Sequence, residues 1–298
     1  MTTWSDKILQ LLRRMNNFYL PDSSRTTCFR FELGGEQVGW VPSNVASILS
    51  KFPEIFSPPR CGAITLRESF DSYEKRSEAV DDVLQSIRRE GCLTVLKGWR
   101  DEKYDVMPRF CDTPLMCMER SATSLFGVKR YGVHINGYCR DENGELRMWL
   151  GRRSKTKQTY PGKLDNLAAG GLAAGISVKD TLIKECEEEA CIPADIAETA
   201  HPVSTVSYTY EDKEGVFPES QFVFDLELPR EFKPRIGDGE VQDFYLYSMD
   251  EVKEVLVSDD FKPNCAMVVL DFLIRHSYIQ PDTEPYYQEF VAGLHQTL

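Results

Sequence analysis

Three glutamates past the middle of the chain, Glu185, Glu188 and Glu189, have the types and spacing that cation chemistry requires. They lie in GGLAAGISVKDTLIKECEEEACIP, residues 170–193. Glu188 and Glu189 follow Glu185 by three and four residues, which puts all three carboxylates on one side of a helix. Glu187 lies about 200° around the axis from Glu185 and points away. Like charges this close repel and weaken a helix. A hard divalent cation with oxygen ligands, Mg2+ or Mn2+, offsets that repulsion. A solvated acidic face explains the same spacing, so the case for a metal rests on what surrounds the helix.

The helix must be positioned from both ends. Ser177 is the expected N-cap, and Asp180 three residues on makes an imperfect capping box. Pro193 prevents much continuation beyond Ala190. Leu182, Ile183, Cys186 and Ala190 supply the apolar side. Gly170, Gly171 and Gly175 are expected to give tight loop geometry ahead of the helix. Just before them runs RMWLGRRSKTKQTYPGKLDN, residues 147–166, which carries six cations and no acid between Glu145 and Asp165. Such a segregated basic stretch invites an anion, although a loop that simply balances the acidic helix is the plainer account. Arg152, Arg153 and Lys155 are the expected phosphate contacts, arginine by its fork and lysine as a mobile charge. Lys163 and Asp165 are lesser ones, since PGKLDN also reads as a structured turn.

The remaining chain supplies the scaffold. Residues 5–17 have a helical stripe of Ile8, Leu11, Leu12 and Met15. Cys28–Leu33 and Gln37–Val41 read as strands around Gly34-Gly35. Val45–Phe52 reads as a short helix, Ala63–Leu66 as a strand, 74–90 as an amphipathic helix stopped by Gly91, and Leu93–Leu96 as a strand. No phosphate loop, metal cluster or nucleophile arrangement occurs in this part, which reads as a smaller α+β domain over residues 1–120 that packs against or shapes the site. From Gly127 the pattern changes. Val128–Tyr138 and Leu146–Leu150 flank the turn Asp141-Glu142-Asn143-Gly144. Val203–Tyr210, Gln221–Leu228 and Val241–Ser248 are further strands, and Asn264–Ser277 is a long helix. Strands interleaved with helices imply an α/β sandwich over residues 121–298.

Composition narrows the partners. The 298 residues carry a formal net charge of −12. Residues 1–120 hold 17 cations and 17 acids, so residues 121–298, with 18 against 30, carry the whole excess. That field argues against nucleic acid and leaves room for a small phosphorylated substrate held by a metal and local cations. No apolar run spans a membrane; Ala266–Ile274 is too short and holds Asp271. Nine cysteines without a CxxC pair fit reduced thiols and a cytoplasmic location. Nothing in the sequence decides between a monomer and a homodimer.

Residues 170–192 resemble the Nudix box of the Nudix hydrolase superfamily. Gly170 takes its first glycine, and Lys184, Glu185, Cys186, Glu188, Glu189 and Ile192 its later positions. Three positions depart: Ile176 stands for the first glutamate, Lys184 for an arginine and Cys191 for the second glycine. Residues 151–175, 217–229 and 238–246 are similar to the branch attached to thiamine pyrophosphokinase, and the first part resembles the N-terminal domain that accompanies it. The resemblance implies a Nudix-type α/β/α sandwich with a mixed sheet. It implies Mg2+ on Glu185, Glu188 and Glu189, with Glu240 completing the shell or serving as base. It implies hydrolysis of oxidised thiamine diphosphate, and less well thiamine diphosphate, to a monophosphate and phosphate. The alternatives are a pyrophosphatase for a nucleoside diphosphate derivative such as ADP-ribose and a non-catalytic module that binds diphosphates. An isoprenoid diphosphate isomerase would need a cysteine near the glycine-rich turn, and none occurs from residue 140 to 185.

Overall fold

A three-stranded and a seven-stranded sheet organise residues 2–298, the part of the chain that the computed structural model describes. The first part contains α1 (Trp4–Met15), β1 (Phe29–Leu33), β2 (Glu36–Val41), α2 (Ser43–Leu49), β3 (Ala63–Thr65), α3 (Tyr73–Glu90), β4 (Lys103–Val106), β5 (Met116–Glu119) and α4 (Thr123–Phe126). Strand order is β2-β1-β3, and β4 and β5 form a separate antiparallel pair. Helix α3 forms for the reasons its sequence gives. The Ser72 hydroxyl accepts from the Lys75 N–H, Gly91 ends the helix at φ +70°, and Val80, Val83, Leu84 and Ile87 bury one stripe. That stripe packs with Phe31, Val41, Leu49 and Phe126 into the N-terminal core.

The second part contains β6 (Arg130–Arg140), β7 (Leu146–Arg153), β8 (Leu164–Asp165), β9 (Ala168–Gly171), α5 (Val178–Ala190), α6 (Ala194–Ala197), β10 (His201–Asp212), β11 (Gly215–Glu227), β12 (Val241–Ser248), α7 (Met249–Leu256), α8 (Pro263–Arg275) and α9 (Tyr287–Leu294). The sheet runs β10-β11-β6-β7-β12, with β8 on β7 and β9 on β6. Only the β11–β6 pairing in it is parallel, so the sheet is mixed. Each face buries its own core. Val133, Ile135, Phe224 and Leu226 pack on α5 through Leu182, Cys186 and Ala190. Met148, Leu150, Val206 and Tyr208 share the other core with α7, α8 and α9. This is the α/β/α sandwich with mixed sheet that the sequence implies.

Several elements differ from expectation. Helix α1 is N-terminal in sequence, yet Ile8, Leu12 and Met15 lie in the same core as α8 and α9. Leu93–Leu96 is not a strand: Thr94–Gly98 forms a 3-10 turn that buries Leu96, because so short an apolar run fits a buried turn as well as a strand. Ala168–Gly171, expected as loop, is a strand paired with Gly132–Ile135. Among the described residues, no helix is long and apolar enough to cross a membrane.

Candidate active site

Helix α5 starts as expected. The Ser177 hydroxyl accepts from the Asp180 N–H at 3.1 Å and donates to the Asp180 carboxylate at 2.6 Å. Glu185, Glu188 and Glu189 then share a face, but their environments differ. Glu188 is open, with its side chain 47% exposed, whereas Glu185 is 13% exposed. Glu189 is buried and accepts from the Ala169 N–H at 2.9 Å. The cation on this face is Lys184, which lies 3.2 Å from Glu185 and 3.0 Å from Glu188. One ammonium thus serves two carboxylates, where an arginine would have offered a fork. Loss of water raises the Glu185 carboxyl above its usual range despite Lys184. Loss of water, then the nearby charges of Asp165 and Glu185, hold that of Glu189 well above it.

The glycines ahead of α5 act by being small. A Cβ on Gly170 would collide with the Glu185 carboxylate, and one on Gly171 with the Tyr104 hydroxyl. Strand β9 is therefore the thin wall between the carboxylates and the N-terminal domain. Ile176, at the expected position of a first glutamate, is 47% exposed and outside this cluster.

The far end of α5 positions the fourth acid. Cys191 adopts φ +52° and ψ +37°, and the Ile192 and Cys191 N–H groups donate to Cys186 O and Glu187 O. This is the terminus that a glycine normally makes, built with a residue that is strained there. The next carbonyls are capped from a distance: Asp238 N–H donates to Glu188 O at 2.8 Å and Arg235 N–H to Ala190 O at 3.1 Å. Gly237 lies so close that a Cβ would strike the Glu188 carbonyl. The docked loop carries Glu240, whose charge is among those that raise Glu185 and Glu189. Burial raises Glu240 itself, but the Lys157 ammonium bonded to it and the charge of Arg153 bring it below its usual range.

The basic stretch is placed otherwise than its sequence suggests. Arg152 and Arg153 belong to strand β7. Arg152 donates to Asp260 at 2.6 Å and to Gly162 O at 3.0 Å. Arg153 is buried and spends its donors on Asp165 (2.7 Å), Tyr160 O (3.1 Å) and Thr159 O (2.9 Å). Lys163 is bonded to Asp259 O. Asp165 is also buried, with Lys262 at 3.2 Å and a hydrogen bond from the Cys265 thiol at 2.6 Å. These groups shape the loop between β7 and β8, and of the four expected phosphate contacts Lys155 alone is exposed without an ion pair among the described residues. A sequence shows the cations but not which acids neutralise them, Asp165 twelve residues on for Arg153 and the distant Asp260 for Arg152.

A cleft of about 980 Å3 opens between the two parts of the molecule. One face of the sheet forms its floor through Arg130, Gly132 and His134 of β6 and Phe217, Glu219 and Gln221 of β11, alternate residues as a strand requires. Ala169, Gly170 and Gly171 border it. The N-terminal domain supplies Lys97, Arg100, Tyr104 and Arg120. None of these was apparent from sequence, although the contiguous polar run Glu219-Ser220-Gln221 in the middle of β11 is a signal that its buried face is not all core.

Among the described residues no three His, Cys, Asp or Glu side chains converge as a ready-made cation cage, since Lys184 lies between Glu185 and Glu188. The donor set nevertheless fits a hard divalent cation: three carboxylates on one helical face, two of which, Glu185 and Glu189, are raised by burial and then by like charges, with one ammonium beside Glu185 and Glu188.

A family model described as NUDIX domain matches residues 130–265, and one described as Domain of unknown function (DUF4743) matches residues 7–130. Nudix hydrolase 20, chloroplastic, of Arabidopsis thaliana is 40% identical over 265 residues, which cover 86% of this chain and 70% of that protein. Nudix hydrolase 24, chloroplastic, of the same plant is 39% identical over 258 residues, with the same two coverages of 86% and 70%. Among solved structures, the MutT protein from Methanosarcina mazei Go1 aligns over 51% of this chain and 98% of its own, at 21% identity and a TM-score of 0.36.

Proposed function

The chain belongs to the Nudix hydrolase superfamily, with an accessory N-terminal domain, and from that premise we propose that it hydrolyses the phosphoanhydride of a small diphosphate held in the cleft. The observation that carries this is the imbalance on α5, where three carboxylates share one helical face and Lys184 pairs with only two of them, behind the Gly170–Gly171 wall that borders the cleft. Glu185, Glu188 and Glu189 would hold Mg2+ or Mn2+, with Glu240 nearby as a further ligand. The bound cation supplies a more acidic water and neutralises charge on the departing phosphate. Glu188, the most open of the three, would take a proton from the attacking water, with Glu189 or Glu240 as the alternative base. Oxygen from water adds to phosphorus, the P–O–P bridge breaks, and a monophosphate and phosphate leave.

The organic part of the substrate is an aromatic heterocycle, for which Tyr131, Tyr160, Tyr210 and Phe217 line the cleft. The volume, near the top of the range of about 300–1,000 Å3 for small-molecule sites, favours a nucleoside diphosphate derivative such as ADP-ribose. The likeness of residues 151–175, 217–229 and 238–246 to the thiamine pyrophosphokinase-linked branch favours oxidised thiamine diphosphate. A panel of both classes, assayed for phosphate release with and without Mg2+, separates them. Glu188→Gln is expected to lower turnover of the active substrate about 100-fold or more with unchanged melting. Normal turnover by that variant would remove Glu188 from the reaction. Metal-independent silence across the panel, with Mg2+ added, would leave only a binding module.

A further inference from the structure

We infer that the N-terminal domain supplies the cation that binds the substrate's diphosphate oxygens, and that this cation is Arg100. The inference rests on the phosphoanhydride reading above for the identity of the anion, but not for the existence of the site. Arg100 is fixed at its base and free at its tip. Its backbone N–H donates to the buried Glu119 carboxylate at 3.0 Å. Its guanidinium has one hydrogen bond, to the Gln158 amide oxygen at 3.2 Å, and among the described residues no carboxylate lies within ion-pair distance of it.

Its neighbours sharpen the point. Arg120 pairs with Glu102 at 2.7 Å and lies 5.4 Å from the centre of the Tyr104 ring. Arg130 pairs with Glu219 and lies 5.1 Å from the centre of the Phe217 ring. Six cations, these three guanidiniums among them, line the cleft against the three carboxylates of Asp212, Glu214 and Glu219. Such an excess is unfavourable in partly dry surroundings unless an anion completes it. Burial, then the charge of Arg120, lowers the Arg100 pKa. The Ser121 hydroxyl lines the same cleft, and it is buried without a hydrogen-bond partner in the protein.

The cluster adjoins the carboxylates. The Tyr104 hydroxyl closes on Gly171, and the preceding Gly170 lies over Glu185. Arg120 is also among the cations that lower Glu240. Arg100 lines the same cleft that Gly170 and Gly171 border, where a guanidinium can grip two oxygens of a diphosphate at once. The β7–β8 segment cannot do this, because its arginines are already bonded to Asp165 and Asp260.

The test uses the full chain and inorganic pyrophosphate as the probe, titrated by calorimetry without metal. Arg100→Ala is expected to weaken pyrophosphate binding about 10-fold or more, the range for charge-assisted hydrogen bonds. It is expected to raise KM for the active diphosphate by a similar factor while kcat changes little. Arg100→Lys, which keeps charge without the fork, should fall between. Equal pyrophosphate affinity in wild type, Arg100→Ala and Arg100→Lys overturns the inference, whatever the enzyme hydrolyses. If no diphosphate is hydrolysed but Arg100→Ala still loses pyrophosphate, the hydrolase reading fails and this site stands.

Discussion

The face of α5 and the strand-loop segment from Arg147 to Lys163 carry opposite charge, and they are neutralised in opposite ways. On the helix, Glu185 and Glu188 share Lys184 while Glu189 has no cation within ion-pair distance among the described residues, and Glu185 and Glu189 are pushed above their usual range by burial. On the segment, Arg147, Arg152, Arg153 and Lys157 each have an acid of their own in Asp141, Asp260, Asp165 and Glu240. Charge left without a partner marks where a ligand must come, and charge already paired marks where the fold holds itself together. By that measure the proposed site would draw its acidic half from α5 and its basic half from the N-terminal domain rather than from the stretch beside α5 in sequence.

Arg153 offers the strongest way to break this contrast. Arg153→Ala leaves the buried Asp165 with Lys262 as its remaining cation. The expected loss is about 3–5 kcal/mol of folding stability, as when one member of a buried pair is removed. Urea unfolding checks it. If the variant instead keeps its midpoint and loses affinity for the diphosphate, Arg153 is a substrate contact and the segment belongs with the helix.

The same network gives a pH dependence. Burial, then the charge of Lys262, lowers the buried His134 imidazole to about 4, although the Asn166 amide oxygen lies 2.8 Å from its Nδ1 as an acceptor. An unfolded histidine titrates near 6.5. Between these values the unfolded chain binds a proton that the folded chain refuses, so stability rises with pH across the window and is lost on acidification. The term is about 3 kcal/mol at full extent. His134→Asn is expected to flatten the slope of unfolding free energy between pH 4 and 6.5. An unchanged slope would place the titration on other groups.

Much of the acidic half is legible in the sequence because it is local. The i, i+3, i+4 spacing fixes one face of α5, and Ser177 and Pro193 fix its ends whatever surrounds it. The basic half is not local. Arg152 meets Asp260 and Arg153 meets Asp165 through strand pairing and the start of α8, and no pattern within residues 147–166 announces either. Arg100 is hidden for the opposite reason: it sits alone in a polar stretch, and its meaning comes from Arg120, Arg130 and the fold of a second domain. Gly170 and Gly171 misled in a third way. Their composition suggested a turn, whereas the space taken by Glu185 and Tyr104 requires small residues in a strand. Helix α1 shows the same limit at larger scale, since its stripe predicts burial but not burial against α8 and α9.

The smallest effect sharpens the contrast most finely. Arg152 and Arg153 are adjacent, but a strand sends their side chains to opposite faces. Arg152 lies over the Tyr245 ring and pairs with Asp260, whose side chain is 51% exposed. Solvent screens such a pair, so Arg152→Ala is expected to lose about 1 kcal/mol or less. KM for the diphosphate and the affinity for pyrophosphate should stay within about twofold of wild type, because the guanidinium is already held by Asp260 and Gly162 O. A tenfold weaker pyrophosphate complex in this variant would mean that Arg152 exchanges Asp260 for substrate. The neutralised segment would then be a reserve of phosphate-binding charge, and paired charge would no longer be a guide to structure alone.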